Sequence, residues 1–414
     1  ILGMIGFSCY VLADSYFISI AKGADGLTAL NLVMPLYSII FSIGEMIGVG
    51  SAIRYAISKI KKDADADDYF WNALIWCILS SMLFVFAGIF FSADIMRVLG
   101  ADEHIVAVGN NYTKIFMCFA PMFMCNYVTN AFVRNDGAPG IAMSATLFSS
   151  LFNIVFDYIL MFPMNLGMEG AALATALSPI IGMGICSIHF FSKKSSVRLV
   201  VCKPSVRKLV AGCQLGVSAF VGEMSSAVIT LAFNFVILKL AGNVGVAAYG
   251  VVANIAIVTT AVFNGVAQGS QPLISSCFGR GDKDGCTQLK RMGYTTAFVL
   301  AAVMYSILFI FAGQFVAVFN SEGSEMLRLY ATEGVKLYFI GIFFAGINIV
   351  GGGAFSATED AFKAAVVSVA RGFVLILGAV FVMSALFGMT GVWLAYAVAE
   401  GITTFIMLVM VLRV

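Results

Sequence analysis

Long apolar stretches separated by short polar ones run the whole length of the chain. They lie near residues 1–20, 27–57, 69–95, 105–133, 138–162, 168–191, 208–239, 243–277, 290–314, 325–356, 361–386 and 389–412. A helix needs roughly 20 apolar residues to cross the hydrocarbon core of a bilayer, and each stretch supplies about that number or more. The pattern predicts an all-α polytopic membrane protein with twelve transmembrane helices. Composition agrees: 61% of the 414 residues are hydrophobic and 11% are charged, too few charges to cover a soluble domain of this length. The first stretch is apolar from Ile1, with no Met before it, so the sequence is expected to be part of a longer chain.

Most of the 24 Lys and Arg fall in alternate loops, among them Lys59, Lys61, Lys62, Lys193, Lys194, Arg280 and Lys283. By the positive-inside rule these loops and both termini are cytoplasmic. The same topology accounts for the basic loops without nucleic acid, and the net charge of +2 implies no partner of its own. None of the nine Cys is expected in an outer loop, so no disulfide framework is implied. His104 and His189 fall on opposite membrane faces, which argues against a His/Cys metal site. There is no Walker-type phosphate loop and no nucleophile–base pair, so ATP-driven pumping and enzymatic catalysis are disfavoured.

The chain repeats itself. "LADSYFISIAKGADGLTA" from Leu12 lies over "LAFNFVILKLAGNVGVAA" from Leu231, setting Gly23 on Gly242 and Gly26 on Gly245; "GMEGAALATA" from Gly167 lies over "GMTGVWLAYA" from Gly388. Two matches in order at nearly one shift predict two six-helix bundles in the same orientation, related by a pseudo-two-fold axis along the membrane normal. The expected division is residues 1–191, a cytoplasmic linker at 192–207, and residues 208–414. The cleft between such halves is the natural place for a substrate, and the halves are expected to rock in alternating access.

Polar residues inside the apolar stretches are the candidate chemistry. Asn153 and Asp157, four residues apart, share one face of the fifth segment. At 1.5 Å per residue Asp157 lies about 9 Å, and Asp14 and Thr175 each about 10 Å, below the outer ends of their segments, with Asn153 one turn deeper. A charged group at that depth is costly and marks a functional site by default. Two carboxylates there must share a proton or flank a cation, and oxygens from Asp, Asn and Thr suit a hard ion such as Na+. The alternative is a salt bridge between one Asp and Lys114, about 13 Å inside the fourth segment. Glu45, Lys114, Met117, Met122 and Glu223 are candidates for a cavity or substrate surface, with ordinary packing or hidden pairing as the alternative for each. Arg371 and Glu400, at comparable depth, read as a structural ion pair rather than a relay.

These motifs resemble the multidrug and toxic compound extrusion (MATE) family. The resemblance is carried by "VLADSYFI", "GEMIGVGSA", "FVRNDGAPGIAM", "NIVFD", "GMEGAALATA" and "AQGSQPLI" in this order, and the "RNDG" form is most similar to the bacterial branch that handles cationic drugs. It implies a secondary antiporter in a bacterial cytoplasmic membrane that exports small organic cations in exchange for Na+ or H+. No cofactor and no obligatory protein partner are expected, only membrane lipid around a monomer. The resemblance also assigns the coupling ion to Asp14, Asn153, Asp157 and Thr175, and a cavity role to Glu223. The tenth-helix acidic partner of some members is missing from "FFAGINIVGGGAF". The rival functions are a lipid-linked oligosaccharide flippase of the same wider superfamily and, from another class, a membrane-embedded enzyme or receptor.

Overall fold

The computed structural model describes residues 2–319 and 324–412. Every regular element among these residues is helical. We number the spans α1 (Leu2–Gly23), α2 (Asp25–Lys61), α3 (Asp68–Val98), α4 (Glu103–Cys118 with Ala120–Asn135), α5 (Pro139–Met161) and α6 (Gly167–Phe190). The continuous helix Val206–Gly279 breaks at Gly242 into α7 (206–242) and α8 (243–279). Next come α9 (Lys283–Ile310) and α10 (Glu325–Ala357), and a break at Gly388 separates α11 (361–388) from α12 (389–412). These twelve spans fall on the twelve apolar stretches.

The breaks carry the repeat into the backbone. Gly23 (φ 61°, ψ −144°) and Gly242 (φ 61°, ψ −156°) adopt the same conformation, one that is essentially closed to residues with a side chain. Gly167 (φ 52°) and Gly388 (φ 58°) match in the same way. After the first break the chain folds back closely in both halves. A Cβ on Gly26 would stand 3.1 Å from Ile18 Cγ2, and one on Gly245 would stand 2.8 Å from Ile237 Cγ2. The aligned glycines thus do the same steric work in each half. The 45° bend in α4 has a local cause: Pro121, at the start of Ala120–Asn135, has no N–H to continue the ladder.

Side chains sort as they do in lipid. On α3 only 17% of the apolar window is buried, and Leu83, Phe86, Phe90 and Phe91 point outward, where hydrocarbon rather than water is their solvent.

The chain divides into two compact units, Leu2–Phe220 and the chain from Val221 onward. In the first unit α2 and the start of α7 touch backbone to backbone. A Cβ on Gly50 would come within 2.0 Å of Gly212 O, and one on Gly216 within 2.0 Å of Met46 O, so only glycine permits the contact. The preceding linker is strapped down as well. Ser205 N–H donates to Asn72 Oδ1 (2.6 Å), Arg198 N–H to Asp67 Oδ1 (3.1 Å), and Lys208 pairs with Asp65 (2.9 Å) and Asp68 (2.6 Å). Asp136, just past the end of α4, accepts from Ser196 N–H (2.9 Å), Ser195 Oγ (3.2 Å), Tyr55 Oη (3.1 Å) and the Ser196 hydroxyl, and pairs with His189 Nε2 (2.8 Å). Burial pushes the Asp136 carboxyl up, but the hydrogen bonds from Ser196, His189 and Tyr55 outweigh it and hold the group below its ordinary value.

The second unit is built around an aromatic column, in which Trp393, Tyr249 and Phe233 stack in sequence and Tyr338 lies face to face on Tyr396 (centroids 4.4 Å, 4°). Beside it, Arg371 sits in a π-turn (Ala370–Val374) of α11 and pairs with Glu400 of α12 through Nη2 (2.7 Å) and Nε (3.1 Å). Asn348 of α10 donates to the second carboxylate oxygen (2.7 Å), and Thr404 donates to Asn348 Oδ1 (3.0 Å).

Candidate ion-coupling site

The four oxygen-bearing residues lie in the first unit on α1, α5 and α6, and all are buried: Asp14 is 5% exposed, Asn153 and Asp157 0%, and Thr175 1%. Asn153 and Asp157 share one face of α5 because they are one turn apart. Thr175 meets them from α6, the helix most extensively packed against α5, where Gly170 lets the two backbones approach. With the Asn153 amide oriented so that both its ends are satisfied, its nitrogen donates to Asp157 Oδ2 (3.1 Å). Its oxygen accepts from Thr175 N–H (3.2 Å) and Thr175 Oγ1 (3.1 Å). Asn153 therefore bridges the carboxylate and the hydroxyl. Asp14 comes from α1, which also packs on α5, and its charge acts directly on Asp157.

The hydrogen bonding is incomplete. Asp14 Oδ1 and Asp157 Oδ1 are both buried and without a hydrogen-bond partner. A buried acceptor left in that state is costly, and two such oxygens from adjacent carboxylates are the donor set a proton or a hard cation would complete.

Two tyrosines missed at the sequence level border this group. Tyr37 of α2 and Tyr112 of α4 hydrogen-bond to one another through their hydroxyls, and the charges of Asp14 and Asp157 act on both. In the sequence they are aromatic residues on apolar helices, with nothing to separate them from packing residues. The buried hydroxyl is the only sign, since such a group needs a partner.

The other candidates are dispersed. Lys114 is exposed and makes no ion pair with either carboxylate among the described residues. Met117 is buried against Gly88 of α3, where a Cβ would stand 2.5 Å from its own, whereas Met122 is 37% exposed. Glu45 is buried in α2 within electrostatic reach of Arg134. Glu223, in the second unit, is half-buried and forms no hydrogen bond or ion pair among the described residues. Arg371 and Glu400 form the ion pair described above.

Comparison with known proteins points one way. The sequence model of the MatE family matches residues 1–159 and 219–382, two blocks that begin at corresponding points of the repeat. The chain is 27% identical over 405 residues to the multidrug export protein MepA of Staphylococcus aureus strain MRSA252, covering 95% of this chain and 87% of that one. It is 26% identical over 400 residues to MepA of Staphylococcus saprophyticus, with the same coverage. Among solved structures it superposes on an outward-facing multidrug resistance MATE family transporter of the MOP superfamily with a TM-score of 0.92 at 21% identity, covering 100% and 93% of the two chains. It also superposes on a MOP superfamily transporter from Pyrococcus furiosus, reported to have a binding pocket of reverse polarity, with a TM-score of 0.90 at 20% identity, covering 99% and 92%. The helices, the repeat and these matches lead to one conclusion: the chain belongs to the MatE family of membrane transporters.

Proposed function

We propose that this protein is a secondary antiporter of a bacterial cytoplasmic membrane, exporting organic cations of varied structure in exchange for Na+ or H+. The observation that carries the coupling half of the proposal is the buried Asp14–Asn153–Asp157–Thr175 group with its two unpartnered carboxylate oxygens. A carboxylate pair in a low-dielectric interior is stable only when a proton or cation offsets part of its charge. Taking up that ion on one side of the membrane and releasing it on the other is the elementary act of coupling. The drug-export half is supported by the likeness to the MepA proteins. The gradients are adequate: one charge falling through 100 mV supplies about 2.3 kcal/mol, and a tenfold ion gradient about 1.4 kcal/mol more. The gathering of Lys and Arg in alternate loops supports cytoplasmic termini, and a monomer suffices for the mechanism.

Expression in an efflux-deficient bacterium is expected to raise the inhibitory concentration of several unrelated organic cations, checked by dilution assays against an empty-vector control. Unchanged susceptibility to every cation tried would overturn the drug-export reading and favour a flippase.

A further inference from the structure

We infer that the segment between α6 and α7 docks on anionic phospholipid headgroups of the leaflet it faces, the cytoplasmic one in the orientation proposed above. Both ends of the segment lie at the edge of the hydrocarbon. Ile188 and Phe191 are one turn apart at the end of α6, and Val206 and Val210 one turn apart at the start of α7. All four are exposed on helices long and apolar enough to cross a bilayer, so lipid is their solvent. The chain between them is held in place. Val197 is buried, and hydrogen bonds from Ser196 N–H to Asp136, Arg198 N–H to Asp67 and Ser205 N–H to Asn72 fix the backbone.

What this fixed segment presents outward is part apolar and part cationic. Leu199 is 51% exposed and Val201 76%. Lys193, Lys194, Arg198 and Lys203 are exposed too, and their side chains make no ion pair among the described residues. The sequence gives them no local partner, because no Asp or Glu occurs between Glu169 and Glu223. The acids that reach the segment from neighbouring loops are already engaged: Asp65 and Asp68 with Lys208, Asp67 with Lys59, and Asp136 with His189 and the Ser196 backbone. Other exposed bases on this side have acids beside them, Lys62 next to Asp63, and Arg280 and Lys283 alternating with Asp282 and Asp284. Water would satisfy the cations of the segment and leave Leu199 and Val201 exposed to it. At the headgroup level the apolar side chains enter the acyl boundary while the Lys and Arg stems reach out to phosphates. A strip of one sign fits an anionic lipid, whereas a zwitterionic headgroup offers it no net charge.

The test reconstitutes the full chain into vesicles of equal phosphatidylcholine and phosphatidylglycerol, re-extracts it in a neutral detergent, and quantifies the lipid that stays bound. The parent should retain phosphatidylglycerol in excess, and the excess should shrink as the salt in the wash rises. Combining Lys193→Gln, Lys194→Gln, Arg198→Gln and Lys203→Gln should cut that excess at least roughly fivefold. The melting temperature should not move, since no ion pair is lost. A control that removes the same charge from this side, Lys62→Gln, Arg280→Gln, Lys283→Gln and Arg291→Gln, should keep the excess. Washing in inorganic phosphate instead of chloride at one ionic strength should keep it as well. No excess in the parent, an equal loss in the two variants, or stripping by inorganic phosphate overturns the inference; the last would make the segment a site for small anions. Should the fourfold segment variant fail to fold, the pair Lys193→Gln, Lys194→Gln decides in its place: partial loss supports the docking, and full retention overturns it.

Discussion

Replacing Asp157 by Asn gives a folded protein that still binds drug and no longer exports it at the expense of an ion gradient. The carboxylate lies at 0% exposure between Asn153, which donates to its Oδ2 (3.1 Å), and Asp14. An amide of the same shape keeps an acceptor for Asn153 and removes one negative charge. The site is then closer to neutral without its ion, so uptake of the ion loses its driving force. A tenfold loss of ion affinity corresponds to only about 1.4 kcal/mol, less than one desolvated charge supplies. Collapse of the fold is not expected, because Lys114 is exposed and pairs with neither carboxylate among the described residues, so no buried cation is stranded. Drug binding, melting temperature and ion-driven export on one preparation distinguish the cases. A stable variant with export within twofold of the parent would refute the coupling role, and a variant that melts far below the parent would restore the salt-bridge reading.

Glu400→Leu is expected to have the largest effect on stability. Arg371 is held by both oxygens of Glu400, and Asn348 spends its side-chain N–H groups on the carboxylate (2.7 Å) and on Glu400 O (2.9 Å). Removing the acid strands a guanidinium that is only 15% exposed in the middle of a helix bundle. Breaking a buried pair from one side costs roughly 3–5 kcal/mol, whereas replacing both partners with apolar groups is often neutral. Thermal melts in detergent should therefore show a steep loss for Glu400→Leu and recovery of most of it in the Arg371→Met, Glu400→Leu double variant, which should also export. A single variant that melts like the parent would mean that the pair contributes little. A stable double variant that cannot export would make Arg371 or Glu400 part of the transport path rather than a staple between α11 and α12.

The sequence carried the fold further than it carried the site. Length and apolarity located all twelve spans, and the aligned glycines proved to be the residues whose backbone angles repeat, because a conformation open only to glycine leaves a mark on the chain that a packed Leu does not. Depth along a helix brought Asp14, Asp157 and Thr175 to one level, and the one-turn spacing put Asn153 beside Asp157. Depth says nothing of azimuth, however. Met117 and Met122, five residues apart, are separated by the break in α4, one buried against α3 and the other exposed. Lys114 was close to the right depth for a salt bridge yet forms none with the two acids. The Tyr37–Tyr112 pair joins residues 75 apart in sequence, and no periodicity predicts which two hydroxyls on different helices will meet. The reach of the first unit into α7 follows from the bare backbone contact of Gly50 with Gly212 and Gly216. In the sequence that contact shows only as the small-xxx-small spacing of "GCQLG".

Ion coupling is tested most directly by drug export from proteoliposomes with the Na+ and H+ gradients imposed separately and then both collapsed, for the parent protein and Asp157→Asn side by side. Coupling through the acidic pair predicts that one gradient drives uphill export by the parent, that export stops when both are collapsed, and that Asp157→Asn shows none under either. Uphill export by the parent that continues with both gradients collapsed, or equal ion-driven export by the two proteins, would contradict it.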